Sequence, residues 1–161
     1  KIELQEHIRP THEIDLIELI DYVIKTYEKI ISKNNISIKF NKTDNFKIIG
    51  DRDKLIEIFT NLIDNSIKYS DKNKEITITA KKDGEFNTVS VADQGIGIPK
   101  ESIHRITERF FTVDPSKSRS VGGTGLGLAI VKHLVSQHRA EMDINSVENE
   151  GTTIDIKFNS L

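Results

Sequence analysis

The chain has 161 residues, of which 36% are hydrophobic and 30% charged, so it is long enough for one domain with a real core and too short for two full-sized ones. Lys and Arg number 23 against 25 Asp and Glu, a net charge of -2, which removes the global basic field on which non-specific nucleic-acid binding depends. The absence of Cys excludes disulfides, a thiolate zinc site and a cysteine nucleophile. No apolar run approaches the roughly 20 residues that span a bilayer, and the opening Lys1 to His7 lacks the apolar centre of a signal peptide. The start without Met reads as the tail of a preceding segment, so an excised piece of a longer chain is expected.

In chain order, Leu16, Ile17, Ile20, Val23, Ile24, Tyr27, Ile30 and Ile31 recur at helical spacing, which predicts one amphipathic helix ending near Lys33 to Asn35. Ile36, Ile38 and Phe40, then Phe46, Ile48 and Ile49 across a polar turn, predict a short hairpin. Asp51 or Asp53 is the expected N-cap of a second helix running to about Ser70. Ile76, Ile78 and Ala80 alternate, Asp83-Gly84 turns, and Phe86 to Val91 returns, an antiparallel pair. A breaker-rich irregular segment fills 94–124, a helix is expected over Leu126 to Gln137, and two last strands flank a turn at Asn149 to Gly151. This order favours an α+β fold of two layers, a mixed sheet with helices on one face, over a doubly wound parallel sheet.

Three constellations stand out. On the second helix Asn61, Asn65 and Lys68 share an arc with Glu57 beside them, opposite Leu55, Ile58, Phe59, Leu62 and Ile63. Most polar stripes are solvated faces. Asn is a mediocre helix former, however, and an amide oxygen is a hard ligand that Mg²⁺ accepts when phosphates supply charge. Asp93-Gln94-Gly95-Ile96-Gly97-Ile98-Pro99 follows a strand, where a carboxylate can accept from an amino group and glycines allow close backbone approach; an ordinary strand exit has the same pattern. Gly122 to Gly127 leads into a helix, as phosphate cradles and lid hinges both do. It is neither a Walker A loop nor a dinucleotide fingerprint. The five His show no metal-ligand spacing, and His133 and His138 are expected to decorate the last helix.

Together and in this order, these segments resemble the ATP-binding catalytic domain of sensor histidine kinases, in the GHKL superfamily. Asp53 to Ser70 resembles the N box, Asp93 to Pro99 the G1 box, Thr107 to Phe111 the F box and Gly122 to Ile130 the G2 box. The resemblance implies a Bergerat-type sandwich with a long ATP lid over 107–124, ATP and Mg²⁺ as ligands, and catalytic roles for Asn61 and Glu57. It implies that Asn65 coordinates the metal, that Asn61 and Lys68 meet the phosphates, that Tyr69 lines the pocket, and that Asp93 holds the adenine amino group. Gly95 and Gly97 would make room for the base, with Ile98 beside them. Gly123, Thr124, Gly125, Leu126 and Gly127 would flank the phosphates, and Phe110 would anchor the lid.

Two departures qualify the likeness. Thr112 stands where many members have a basic residue, so the lid cation falls to Arg119, ahead of Arg109 or Lys117. Thr11-His12-Glu13 lacks the basic residue and Pro of a phosphoacceptor box. The acceptor His is therefore expected on a separate dimerisation domain, with 1–9 its tail or a linker and 10–161 the ATP-binding catalytic domain. The resemblance further implies a response regulator receiver domain as partner, a cytoplasmic monomeric fragment, and a homodimeric parent anchored in the membrane. A GHKL ATPase, an anti-sigma-type serine kinase and a nucleotide-sensing module without transfer are the other readings of the same boxes.

Overall fold

The computed structural model describes residues 12–70, 74–108 and 127–161. Strand β1 (His12–Asp15) runs into helix α1 (Leu16–Thr26), followed by α2 (Glu28–Lys33), β2 (Ser37–Asn41), β3 (Lys47–Gly50) and the long helix α3 (Arg52–Tyr69). Then come β4 (Glu75–Asp83), β5 (Phe86–Ala92), a 3₁₀ turn (Lys100–Arg105), α4 (Gly127–Gln137), β6 (Glu141–Val147) and β7 (Gly151–Asn159). Five strands form a mixed sheet in the order β2-β4-β5-β7-β6, parallel only between β2 and β4.

Alternation in the central strands explains the layering. Ile76, Ile78 and Ala80, Val89 and Val91, and Ile154, Ile156 and Phe158 all bury one sheet face, while the intervening Thr, Ser and charged residues line the other. Helices α1, α3 and α4 close the apolar face with Leu16, Leu19, Ile20, Leu55, Ile58, Phe59, Leu62, Val131 and Leu134. Phe59 of α3 meets Phe158 of β7 at 6.3 Å between ring centroids, which pins the long helix over the sheet centre. The predicted α+β two-layer arrangement is what forms.

Helices α1 and α3 both start at aspartates. Asp15 accepts from the N–H groups of Ile17 and Glu18, and Asp51, of the two candidates, accepts from Lys54 at 3.1 Å.

Two local expectations are corrected. The single first helix is broken at Tyr27, because Thr26 turns its hydroxyl back onto the Val23 carbonyl at 2.7 Å and Tyr27 closes the turn on Ile24. The expected hairpin over 36–49 does not form. β2 lies parallel to β4, and β3 pairs antiparallel with β1, Ile14 opposite Ile48. Phe46 is fully buried and its carbonyl accepts from Leu16 N–H, so the chain is drawn across the α1 entrance before β3 begins. Alternation identifies a strand but not its partner.

His138 is a third correction: it sits in the core at the end of α4 instead of decorating it. Its Nδ1 donates to the Leu134 carbonyl at 2.9 Å and its Nε2 accepts the Asp51 N–H at 3.1 Å, so the neutral ring ties the end of α4 to the N-cap of α3. Burial lowers its pKa, the Leu134 bond and Asp51 oppose that, and Lys54 adds to it. The sign follows: the unfolded chain takes up a proton near pH 6.5 and the folded one resists it. Stability present above that pH is lost as pH falls below it. The midpoint of thermal unfolding is expected to drop between pH 7.5 and 5.5 by more in the wild type than in His138→Phe. Equal drops would contradict this role.

Candidate functional site

One face of α3 is core and the opposite stripe carries Glu57, Asn61, Asn65 and Lys68. Asn61 commits its amide N–H to its own helix, donating to the Glu57 carbonyl at 2.9 Å, which leaves its Oδ1 as the free acceptor. Gly127, the first residue of α4, stands against this stripe. A Cβ there would lie 3.4 Å from Asn65 Nδ2 and 3.5 Å from both Asn61 Oδ1 and Asn65 Oδ1. The two amides therefore converge on the first described turn of α4. Glu57 is exposed one turn earlier, and Lys68 is bound to Asp64 at 2.8 Å one turn later.

Asp93 lies where β5 ends against the start of β7. Its Oδ1 accepts from Gly95 N–H at 2.9 Å and Thr152 N–H at 3.1 Å, and its own N–H donates to the Thr152 carbonyl. Burial pushes its pKa up, against which the two backbone bonds and the hydroxyl of Ser66 stabilise the charge. Both backbone bonds fall on one oxygen, so the carboxylate keeps acceptor capacity for a ligand's amino group. Ser66 comes from the buried side of α3, so Asp93 is fixed by two strands and the helix at once.

The loop after Asp93 is held on both sides. Ile96 N–H donates to the Tyr69 carbonyl at the end of α3, Asn149 N–H donates to the Ile96 carbonyl, and Ile98 N–H donates to Ser146 Oγ at 2.7 Å. Close backbone packing calls for both glycines of this loop. A Cβ on Gly95 would sit 2.3 Å from the Tyr69 carbonyl oxygen, and one on Gly97, whose φ is +70°, would sit 2.2 Å from that of Val147. The space a side chain would need at either position is filled by the protein's own backbone. Gly97→Ala is expected to cost about 1–3 kcal/mol in urea unfolding and to loosen the loop; an unchanged midpoint would contradict it.

Thus Asn61, Asn65 and Gly127 come together along the second half of α3, and Tyr69, Asp93, Gly95, Gly97 and Ile98 at its C-terminal end. Phe110, Arg119, Gly123, Thr124, Gly125 and Leu126 lie outside the described residues, as does most of the lid. Sequence reasoning missed Ser66, Thr152 and Ser146. A buried Ser on an otherwise apolar helix face was the only local signal.

A divalent cation fits this donor set in a particular way. Among the described residues no group of three or more His, Asp or Glu side chains converges. A neutral amide oxygen suits Mg²⁺ carried in on phosphates rather than a metal caged by carboxylates. Nor is any helix among the described residues long and apolar enough to cross a membrane.

Comparison with known proteins gives a consistent picture. Residues 50–160 match the family model described as histidine kinase-, DNA gyrase B- and HSP90-like ATPase. The sensor-like histidine kinase SenX3 of Mycolicibacterium smegmatis is 31% identical over 158 residues, 98% of this chain and 41% of that protein. The chain thus spans about two fifths of that relative's length. The nucleotide-free catalytic domain of histidine kinase ThkA matches with a TM-score of 0.81 at 29% identity, covering 92% of this chain and 95% of that one. ThkA in complex with response regulator protein TrrA matches at 0.78 and 27% identity, over 93% of this chain and 42% of the other.

Proposed function

This chain belongs to the family of histidine kinase-, DNA gyrase B- and HSP90-like ATPases as their ATP-binding catalytic domain, and from that premise we propose that it donates the γ-phosphoryl group of ATP to a histidine on a separate dimerisation domain. The observation that carries the reading is the convergence of Asn61, Asn65 and the α4 start at Gly127, with Asp93 fixed beside Ser66 near the C-terminal end of the same helix.

In this mechanism Asp93 accepts from the adenine amino group and sets the nucleotide's orientation. Asn61 and the α4 N–H groups bind phosphate oxygens, and Lys68 adds a point charge. Asn65 is the protein ligand to Mg²⁺, which when bound neutralises phosphate charge. Glu57 stands one turn before Asn61, close enough to the phosphate end to orient an incoming acceptor. Tyr69, Ile98 and Gly127 border the nucleotide, and the phosphate and lid roles of Gly123, Thr124, Gly125, Leu126, Phe110 and Arg119 are carried over from the resemblance alone. The acceptor imidazole's lone pair forms the N–P bond as the bond from γ-phosphorus to the β,γ-bridging oxygen breaks, and ADP leaves with those electrons. Catalysis is then positioning and charge compensation, as phosphoryl transfer requires.

On this reading the domain occupies 10–161, works in the cytoplasm where ATP is abundant, and serves a membrane-anchored, homodimeric parent. The solved ThkA complex contains a response regulator, and a receiver domain is the partner we assign to this chain's parent. Incubation with γ-labelled ATP and a supplied histidine-bearing dimerisation domain tests the assignment. Acid-labile, base-stable label on the acceptor is expected. Acid-stable label would indicate a serine kinase, and nucleotide binding without label a sensing module.

A further inference from the structure

Lys68 stands where two stripes of α3 meet. Asn61 and Asn65 lead from it toward α4, whereas Thr60 and Asp64 lead toward Tyr27, at the break between α1 and α2. Asp64 Oδ2 holds Lys68 Nζ at 2.8 Å, with side chains only 32% and 30% exposed, so the pair is partly desolvated. The Tyr27 hydroxyl donates to the Thr60 carbonyl at 3.5 Å, with the Asp64 carboxylate as its charged neighbour. Burial, then the proximity of Asp64, push the hydroxyl up to about 12, which keeps it a donor. The interruption that ends α1 at Thr26 is what brings this ring over α3.

We propose that Asp64, oriented by Tyr27, is a positioning residue whose carboxylate competes with the nucleotide's phosphates for Lys68. The inference rests on the nucleotide reading above. A Lys ammonium has three donors on a flexible stem, so it can turn from Asp64 to a phosphate without movement of α3. Every phosphate contact it makes is then offset by the grip it loses on Asp64, and Tyr27 strengthens that grip by holding the carboxylate in place.

The test is ADP affinity by titration calorimetry, with Mg²⁺ present, on wild type, Asp64→Asn, Lys68→Ala, the double variant, Asp64→Glu and Tyr27→Phe. Asp64→Asn is expected to bind ADP roughly threefold more tightly, a gain that structural damage does not produce. The gain disappears in the Lys68→Ala background, Asp64→Glu returns to the wild-type value, and Tyr27→Phe shifts affinity in the same direction by less. Unchanged or weaker binding by Asp64→Asn, or an equal gain without Lys68, overturns the proposal. Should Asp64→Asn not fold, Tyr27→Phe decides alone: no gain overturns it. A wild type that fails to bind ADP would instead remove the nucleotide reading itself.

Discussion

Asp93→Asn is expected to weaken ADP binding about 30- to 100-fold with the fold retained. The Asn oxygen can still accept from Gly95 and Thr152, which hold Oδ1 at 2.9 and 3.1 Å, so the strand junction keeps its bonds. What changes is the remaining acceptor. A charged acceptor becomes an amide whose NH₂ faces a ligand amino group, donor against donor, in a half-buried place where an unmade bond is costly. Calorimetry with ADP measures the affinity and circular dichroism the fold. Wild-type affinity in a folded Asp93→Asn would show that this carboxylate only caps the loop.

Asn65→Ala is expected to reduce phosphoryl transfer to a supplied acceptor about 100-fold and to remove most of the Mg²⁺ dependence of ADP binding. Its stability should change little or rise slightly, because Ala is the better helix former and the side chain is only half-buried. That combination separates a functional amide from a packing one. The α4 start at Gly127 adjoins both amides, so loss of Asn65 with Asn61 retained should leave Mg²⁺-independent binding largely intact. Equal loss of binding with and without Mg²⁺ would assign Asn65 to the nucleotide directly and not to the metal.

The parts of this fold legible in the sequence are those set by local pattern. The long helix α3, the β4-β5 hairpin and the β6-β7 pair follow from apolar periodicity and from turn residues at Asp83-Gly84 and Asn149 to Gly151, and Asp51 caps where its side chain reaches the N3 amide. Tertiary choices were not legible. Ile38 and Phe40 alternate as well in a hairpin as in the parallel pair with β4, and nothing local distinguishes the two. Tyr27 fits the helical period, yet the Thr26 hydroxyl interrupts the helix there.

The site shows the same division. Periodicity places Asn61, Asn65 and Lys68 on one arc, and the structure has them on one stripe. Periodicity also places Asp64 only a little off that arc, but that it engages Lys68 and Tyr27 depends on the packing of α1 against α3. Gly95 and Gly97 were conspicuous for close approach, and the structure shows backbone approaching both. Backbone carbonyls of Tyr69 and Val147 occupy that space, which sequence spacing cannot reveal. His138 illustrates burial overriding composition: a polar residue at a helix end becomes core because both ring nitrogens find backbone partners.

A nucleotide site between α3, the loop after β5 and the start of α4 stands or falls on titration calorimetry of the wild-type chain with ADP, with and without Mg²⁺. Saturable binding at one site, weaker when Mg²⁺ is withheld, is expected. No heat of binding in either condition, from a chain whose cooperative unfolding shows it to be folded, would contradict it.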